Sequence, residues 1–244
     1  MSVFVEKHFF NEPYPHIVIE NCLPLKTFEM LYEDFPVQTV KDNFKLVDGH
    51  TYRGLANDFI GSKRVEAKQC WIDFFQYHTS QEFYNEVLTI FNETRWIKDE
   101  KVKVRHTEGD AKIVTDTQFV IHQPTTGTTR STHIDNPLEI YAGLLYMRQR
   151  GDDAKGGDFV IYDAPEIDKV VAKTGREIPK DIEKKEHKKI TYKENTFVMF
   201  LNTNKSVHGV TPRENALHDR LSINIIAEAE KKLGPLFKLN EIIQ

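Results

Sequence analysis

The second half of the chain carries short runs rich in β-branched and aromatic residues, with no regular helical pattern between them. These runs are Asp116 to Gln123, Glu139 to Met147, Asp158 to Tyr162, Thr196 to Asn202 and Leu221 to Ile226. Turn-rich or charged pieces such as Thr125 to Ser131 separate them. Strands joined this way pair antiparallel, and a doubly wound parallel sheet fits poorly. A β-sandwich or jelly roll whose interior can hold a ligand is expected.

The first half reads differently. His16 to Glu20 forms a short strand, and Pro24 is a plausible first helical residue ahead of Leu25, Phe28, Leu31 and Phe35. A second helix starts with Ser80 as N-cap, places Phe83, Val87, Ile90 and Phe91 at helical spacing and has Asn92 as its stop. Both helices need a sheet to cover. The fold expected is therefore mainly β with flanking N-terminal helices, and the pattern changes near residues 105–115 without a linker. Trp71, Trp96 and the N-terminal Phe and Tyr residues read as packing.

Composition narrows the function classes. With 244 residues, 39% of them hydrophobic, the chain can bury a real core. Lys plus Arg number 33 against 37 Asp plus Glu, a net charge of -4, so no overall positive field attracts nucleic acid or anionic lipid. The longest apolar runs are the size of Phe197 to Leu201, far short of the roughly 18 residues that span a bilayer. The start MSVFVEKHFF is broken by Glu6 and Lys7, and Cys22 and Cys70 are the only cysteines. A cytoplasmic protein is expected. The stretch Glu166 to Glu194 holds nine basic and seven acidic residues and reads as a solvated excursion between strands, or as a lid.

Two histidines stand apart by context. His133-Ile134-Asp135 sets an imidazole and a carboxylate on one side of an extended segment, and His208 follows an apolar strand beside Gly209. Two imidazoles and one carboxylate can occupy one face of an octahedral metal and leave the opposite face open, as in non-heme Fe(II) oxygenases. The pattern alone is weak, because chance supplies it often. The last strand strengthens it: Arg220, Ser222 and Asn224 alternate with Leu221, Ile223 and Ile225, a polar row inside a segment whose other face is core. Arg220 could grip a distal carboxylate bidentately with Ser222 adding a hydroxyl, and Tyr146 could donate its phenol to the same group. Leu144, Phe159 and Val210 supply apolar wall. Gly156-Gly157 reads as a tight turn without chemistry.

The segment His133-Ile-Asp-Asn-Pro137, then Tyr146, Gly156-Gly-Asp-Phe-Val-Ile-Tyr162, His208-Gly-Val and Arg220-Leu-Ser222 resembles the Fe(II)/2-oxoglutarate-dependent dioxygenases. Within them it looks most like the prolyl-hydroxylase-like branch of microbial or phage type, over roughly residues 112–228, and Pro13 to Glu20 resembles the opening strand of such members. The resemblance implies a double-stranded β-helix (jelly roll) core with N-terminal helices on its larger sheet. It implies iron ligation by His133, Asp135 and His208, and cosubstrate binding by Arg220 and Tyr146. Collagen-type relatives use Lys where Arg220 stands. Arg213 is a rival anchor, and a tyrosine common on the strand before the H-x-D motif falls at His122 or Gln123. Halogenating relatives replace the carboxylate ligand that Asp135 keeps, and AlkB-type demethylases carry a second Arg where this chain has Ile226.

The implied activity is hydroxylation of a C–H bond coupled to decarboxylation of 2-oxoglutarate to succinate and CO2. Its cofactors are Fe(II), 2-oxoglutarate and O2, with ascorbate as an auxiliary reductant. The substrate is a peptide or a small molecule, with Asn224, Arg148, Asn136 and Arg130 on its side by face and position, although Arg148 also suits a solvated strand end. No nucleic-acid or membrane partner is expected, and the oligomeric state stays open. Residues 1–244 are read as one dioxygenase domain: supporting strand and helices at 1–111, catalytic core at 112–228, and a C-terminal segment at 229–244. The alternative is a non-catalytic jelly roll that binds a metal or ligand.

Overall fold

The computed structural model describes residues 9–93, 98–124, 130–165, 167, 178 and 182–230. Its strands are β1 (Phe9–Phe10), β2 (His16–Glu20), β3 (Leu46–Val47), β4 (Thr51–Leu55), β5 (Val102–Val104), β6 (Ile113–His122), β7 (Glu139–Tyr146), β8 (Phe159–Asp163), β9 (Lys185–Ile190), β10 (Thr196–Leu201), β11 (His208–Val210) and β12 (Arg220–Ala229). The helices are α1 (Leu25–Glu33), α2 (Val37–Asn43), α3 (Gln69–His78) and α4 (Gln81–Ile90), with a π-helical turn at Asn57–Gly61.

A large sheet runs in the order β1-β2-β10-β7-β12-β6-β4-β3, and β5 joins it parallel to β6. A small antiparallel sheet, β11-β8-β9, completes the jelly roll. Strand β10 has the sequence Thr-Phe-Val-Met-Phe-Leu and is buried throughout, because both of its faces are covered. Phe197, Met199 and Leu201 join the core under the helices, while Val198 and Phe200 join a second core against the small sheet with Tyr146, Phe159, Ile161 and Tyr192.

The helices lie on the large sheet as expected. Phe28 and Leu31 of α1 are buried, although Leu25 is exposed and Pro24 is the N-cap rather than part of the first turn. Ser80 caps α4 by accepting from the Phe83 amide at 3.2 Å, and Asn92 ends the helix region with φ 47°. Helices α2 and α3 and strands β3 to β5 go beyond the expected elements. The excursion Glu166 to Glu194 is corrected in part: Lys185–Ile190 is β9, an edge strand whose charged, exposed side chains hide its strand character from a hydrophobic pattern. Residues 166, 168–177 and 179–181 of that excursion lie outside the described residues, as do Trp96, 125–129, the start 1–8 and 231–244. No helix among the described residues is long and apolar enough to cross a membrane.

Phe119 of β6 is the hub between sheet and helices, with ring centroids at 4.7 Å from Phe75, 4.8 Å from Trp71 and 5.2 Å from both Phe35 and Phe59. Phe119→Ala should cost about 3–5 kcal/mol in urea unfolding, since four rings lose a common neighbour and cannot all collapse into the gap. A loss below about 1 kcal/mol would show that the helices do not depend on this contact.

Candidate active site

His133 lies in the segment after β6, and His208 opens β11. The two exchange backbone hydrogen bonds, His133 N–H to His208 O at 2.8 Å and His208 N–H to His133 O at 3.0 Å. This bridge sets the imidazoles side by side with centroids 4.3 Å apart. Each ring is locked from behind: His133 Nδ1 meets Ser131 O and His208 Nδ1 meets Ser206 O, both at 2.7 Å. A carbonyl only accepts, so each Nδ1 carries the hydrogen and each Nε2 turns its lone pair inward. Arg130 Nε donates to that lone pair on His133 at 3.2 Å.

Asp135 closes the group, with Oδ1 at 3.3 Å from His133 Nε2 and Oδ2 at 3.5 Å from His208 Nε2. One ligand atom from each of the three side chains lies within 4.8 Å of the others, which is the span of donors around one metal ion. Burial, reinforced by His133, pushes His208 down to about 4 and keeps it neutral, the form that binds metal. The donor set of two neutral imidazoles and one carboxylate fits a ferrous ion with open positions.

A second incomplete cluster lies on the face of the large sheet that Tyr146 turns toward the small sheet. Arg220 is only 1% exposed; its Nε donates to Gly157 O at 3.1 Å, and its guanidinium carbon lies 4.8 Å from the Tyr192 ring centre and 5.1 Å from that of Tyr146. Strand register places Tyr146 opposite Ser222. Arg220 Nη2, Ser222 Oγ and Tyr146 OH are buried with no hydrogen-bond partner. Burial raises the Tyr146 phenol to about 12 against the pull of Arg220, so it keeps its proton and can donate. Orphaned buried donors cost about 1–3 kcal/mol each, and a cation with two hydroxyls gathered at one place matches a carboxylate. The residues present therefore fit the distal end of 2-oxoglutarate.

Arg213 does not compete for that role. Its Nη2 contacts both carboxylate oxygens of Asp152, at 2.9 and 2.8 Å, and its Nη1 donates to His218 O at 2.8 Å. Phe159 stacks on the His208 ring at 5.1 Å and pairs in register with Val210, and Leu144 packs on the same core. Asn224 sits in register between Gln118 and Leu144, with a buried Oδ1 that has no partner. Arg148 and Asn136 are differently employed. Arg148 donates to the carbonyls of Asp152, Ala154 and Tyr192, and Asn136 Oδ1 accepts from the Leu138 amide at 3.1 Å. His122 pairs with Arg220 and shares its face, so it, rather than Gln123, stands at the position of the tyrosine in the resembling family.

Three positions carry roles that sequence reading did not assign. Tyr192 forms one wall of the Arg220 slot, and its hydroxyl donates to Leu221 O and accepts from Leu221 N–H. Its place inside a Lys- and Glu-rich stretch concealed it. Gly157, read as a plain turn residue, supplies the carbonyl that aims Arg220, and a Cβ there would meet Arg213 carbons at 3.2 Å on a backbone with φ +79°. Buried Asn202 ties the two ligand segments together: its Nδ2 donates to Asn136 O and Glu139 O, and its Oδ1 accepts from Ser206 Oγ at 2.8 Å.

Two outcomes follow in urea unfolding. Arg213→Met should cost about 3–5 kcal/mol by stranding the Asp152 carboxylate, whereas Arg220→Met, which removes a cation lacking a carboxylate, should change stability by less than about 1 kcal/mol. His16, His78 and His208 are all lowered from 6.5 to about 4, chiefly by burial. The unfolded chain therefore binds protons first, and stability present above pH 6.5 should fall progressively as the pH drops through 4. A flat profile over that window would contradict the buried neutral imidazoles.

Residues 117–227 match the model of the 2OG-Fe(II) oxygenase superfamily. A sequence search of curated proteins gives no match. Among solved structures the chain is similar to a prolyl 4-hydroxylase from Phytophthora capsici, at 16% identity and TM-score 0.53, covering 88% of this chain and 59% of that one. This chain thus spans 59% of the length of the Phytophthora protein. It is also similar to a prolyl-4-hydroxylase from Pseudomonas putida, at 12% identity and TM-score 0.51, over 88% of this chain and 92% of that one. A third is a prolyl hydroxylase from Trichoplax adhaerens in complex with a hypoxia inducible factor oxygen degradation domain peptide fragment, at 11% identity and TM-score 0.51, over 89% and 84% of the two chains. At these identities the likeness is one of fold. The matched segment, which contains the H-x-D motif, His208 and the Arg220 row, is similar to the 2OG-Fe(II) oxygenase superfamily, and the chain as a whole shares the fold of these prolyl hydroxylases.

Proposed function

We propose that this chain is an Fe(II)- and 2-oxoglutarate-dependent dioxygenase that hydroxylates a C–H bond, with His133, Asp135 and His208 as iron ligands and Arg220, Ser222 and Tyr146 holding the distal carboxylate of 2-oxoglutarate. One observation carries the reading: a triad with three ligand atoms within 4.8 Å occurs in the same fold as three buried polar atoms, on neighbouring strands β7 and β12, that lack partners. Iron with its cosubstrate and O2 supplies the oxidising chemistry, one oxygen atom entering the substrate as a hydroxyl and the other passing to succinate as CO2 leaves.

The chain's own side chains then have separable tasks. The locked imidazoles offer Nε2 lone pairs without reorienting, and Arg220 fixes one end of the cosubstrate so that its other end reaches the ligand triad. Leu144, Phe159 and Val210 keep water from the space between. A prolyl residue in a peptide is the substrate we favour, supported by the fold likeness to the Trichoplax protein solved with a peptide fragment. Asn224 and Arg130 are the proposed substrate-facing groups, whereas the backbone bonds of Arg148 and Asn136 suit structural work. Free Cys22 and Cys70 are in keeping with a reducing cytoplasm.

Asp135→Ala and His208→Ala should each lower substrate-stimulated succinate release on the order of 100-fold or more while the fold is retained by circular dichroism. Anaerobic Fe(II) plus 2-oxoglutarate should give a weak visible charge-transfer band in the wild type that both variants lack. Arg220→Met should keep the triad but raise the KM for 2-oxoglutarate. Undiminished turnover in either ligand variant overturns the assignment.

A further inference from the structure

Resting on the reading above, we propose that Tyr192 is the positioning residue that holds Arg220 in one place and thereby sets the length of the 2-oxo diacid the site accepts. An arginine is a long side chain with several rotatable bonds, and Arg220 Nε donates to Gly157 O at 3.1 Å. The guanidinium beyond Nε is confined by rings, its carbon lying 4.8 Å from the centre of Tyr192 and 5.1 Å from that of Tyr146. Those two rings meet each other edge to face, with centroids 5.2 Å apart and planes at 78°. The Tyr146 hydroxyl has no partner in the chain, whereas that of Tyr192 is committed to the backbone of Leu221. Tyr146 is therefore free to bind and Tyr192 is built to hold.

Tyr192 is fully buried and pinned at its backbone and its hydroxyl alike. Its N–H donates to Asp158 Oδ1 at 2.8 Å and its carbonyl accepts from Arg148 Nη1 at 3.0 Å. Its hydroxyl accepts from the Leu221 N–H at 2.8 Å and donates to Leu221 O at 3.2 Å, with a proton that burial keeps in place. Leu221 directly follows the anchor, so one tyrosine grips both the guanidinium and the backbone that carries it. The same ring lies 5.5 Å from the Arg148 guanidinium carbon and 5.8 Å from that of Arg213, and both of those cations pair with Asp152. Arg213 and Arg220 run close together: a Cβ at Gly157 would meet Arg213 carbons at 3.2 Å and Arg220 Nε at 3.4 Å. Without the Tyr192 ring, Arg220 gains room to turn toward that internal carboxylate and away from an incoming one. A held anchor and a triad locked by backbone bonds define one span, and a diacid one methylene longer or shorter misses one end.

The test is anaerobic titration of the Fe(II)-loaded protein with 2-oxoglutarate, the shorter oxaloacetate and the longer 2-oxoadipate, read by the charge-transfer band. The wild type should bind 2-oxoglutarate roughly tenfold or more tightly than either homologue. Tyr192→Met, which removes the ring and its hydroxyl, should weaken 2-oxoglutarate and narrow that preference to about threefold or less. Tyr192→Phe keeps the ring without the hydroxyl and should fall between the two. Fe(II) affinity in the absence of any diacid, measured by calorimetry, should stay unchanged in both variants. Equal affinity for the three diacids in the wild type overturns the proposal, as does a preference that survives in Tyr192→Met. If Tyr192→Met does not fold by circular dichroism, Tyr192→Phe decides, and a preference equal to the wild type's overturns the proposal. A fall in Fe(II) affinity as large as the fall for 2-oxoglutarate also overturns it, since Tyr192 would then support the whole site rather than the anchor. The band of the wild type with 2-oxoglutarate is read first. Its absence marks failure of the iron and cosubstrate assignment, whereas its presence with equal affinities marks failure of this proposal alone.

Discussion

The site depends on one pair of backbone hydrogen bonds, those exchanged by His133 and His208. These residues are distant in the chain and sit on different segments, yet an antiparallel bridge fixes their relative position as firmly as it fixes any strand pair. The imidazole spacing then follows from backbone geometry rather than from side-chain packing, and the carbonyls behind each ring settle which nitrogen points inward. Strand β11 is three residues long and pairs with β8, so the bridge inherits the rigidity of the small sheet.

The cluster around Arg220 follows a different economy of charge. Two arginines near each other are both buried, but Arg213 is completed inside the chain by Asp152, whereas Arg220 keeps Nη2 without a partner. A buried guanidinium without a carboxylate is costly to folding and persists where the missing partner arrives from outside. Tyr146 and Tyr192 make that position tolerable by flanking the cation with ring faces. A completed ion pair and a buried cation with an unsatisfied nitrogen thereby fall on separate residues only a short distance apart in the sequence.

Much of this architecture was legible beforehand. Alternation along Arg220 to Ile225 showed both the polar row and the core face, because a strand in a sandwich must satisfy two surfaces at once. The N-cap at Ser80 and the stop at Asn92 were equally plain, since capping chemistry is local. Less legible was whatever depended on partners remote in sequence. Strand β9 is written in lysines and glutamate because it is an edge, and β4 joins the large sheet with only short apolar content. Tyr192 and Asn202 look unremarkable in the chain, and only hydrogen bonding gives them a place. Arg220 was preferred to Arg213 because it opens a strand, whereas the Asp152 carboxylate that meets Arg213 could not be read from the chain.

Asn202 sets a limit on how this scaffold could be rebuilt. Its single amide ties the segment after Asp135 to the turn that carries Ser206, so a graft exchanging one of these loops for that of a homologue would sever the strut at one end and tilt the surviving histidine. Engineers wishing to transplant the centre must move both loops and the asparagine as one cassette.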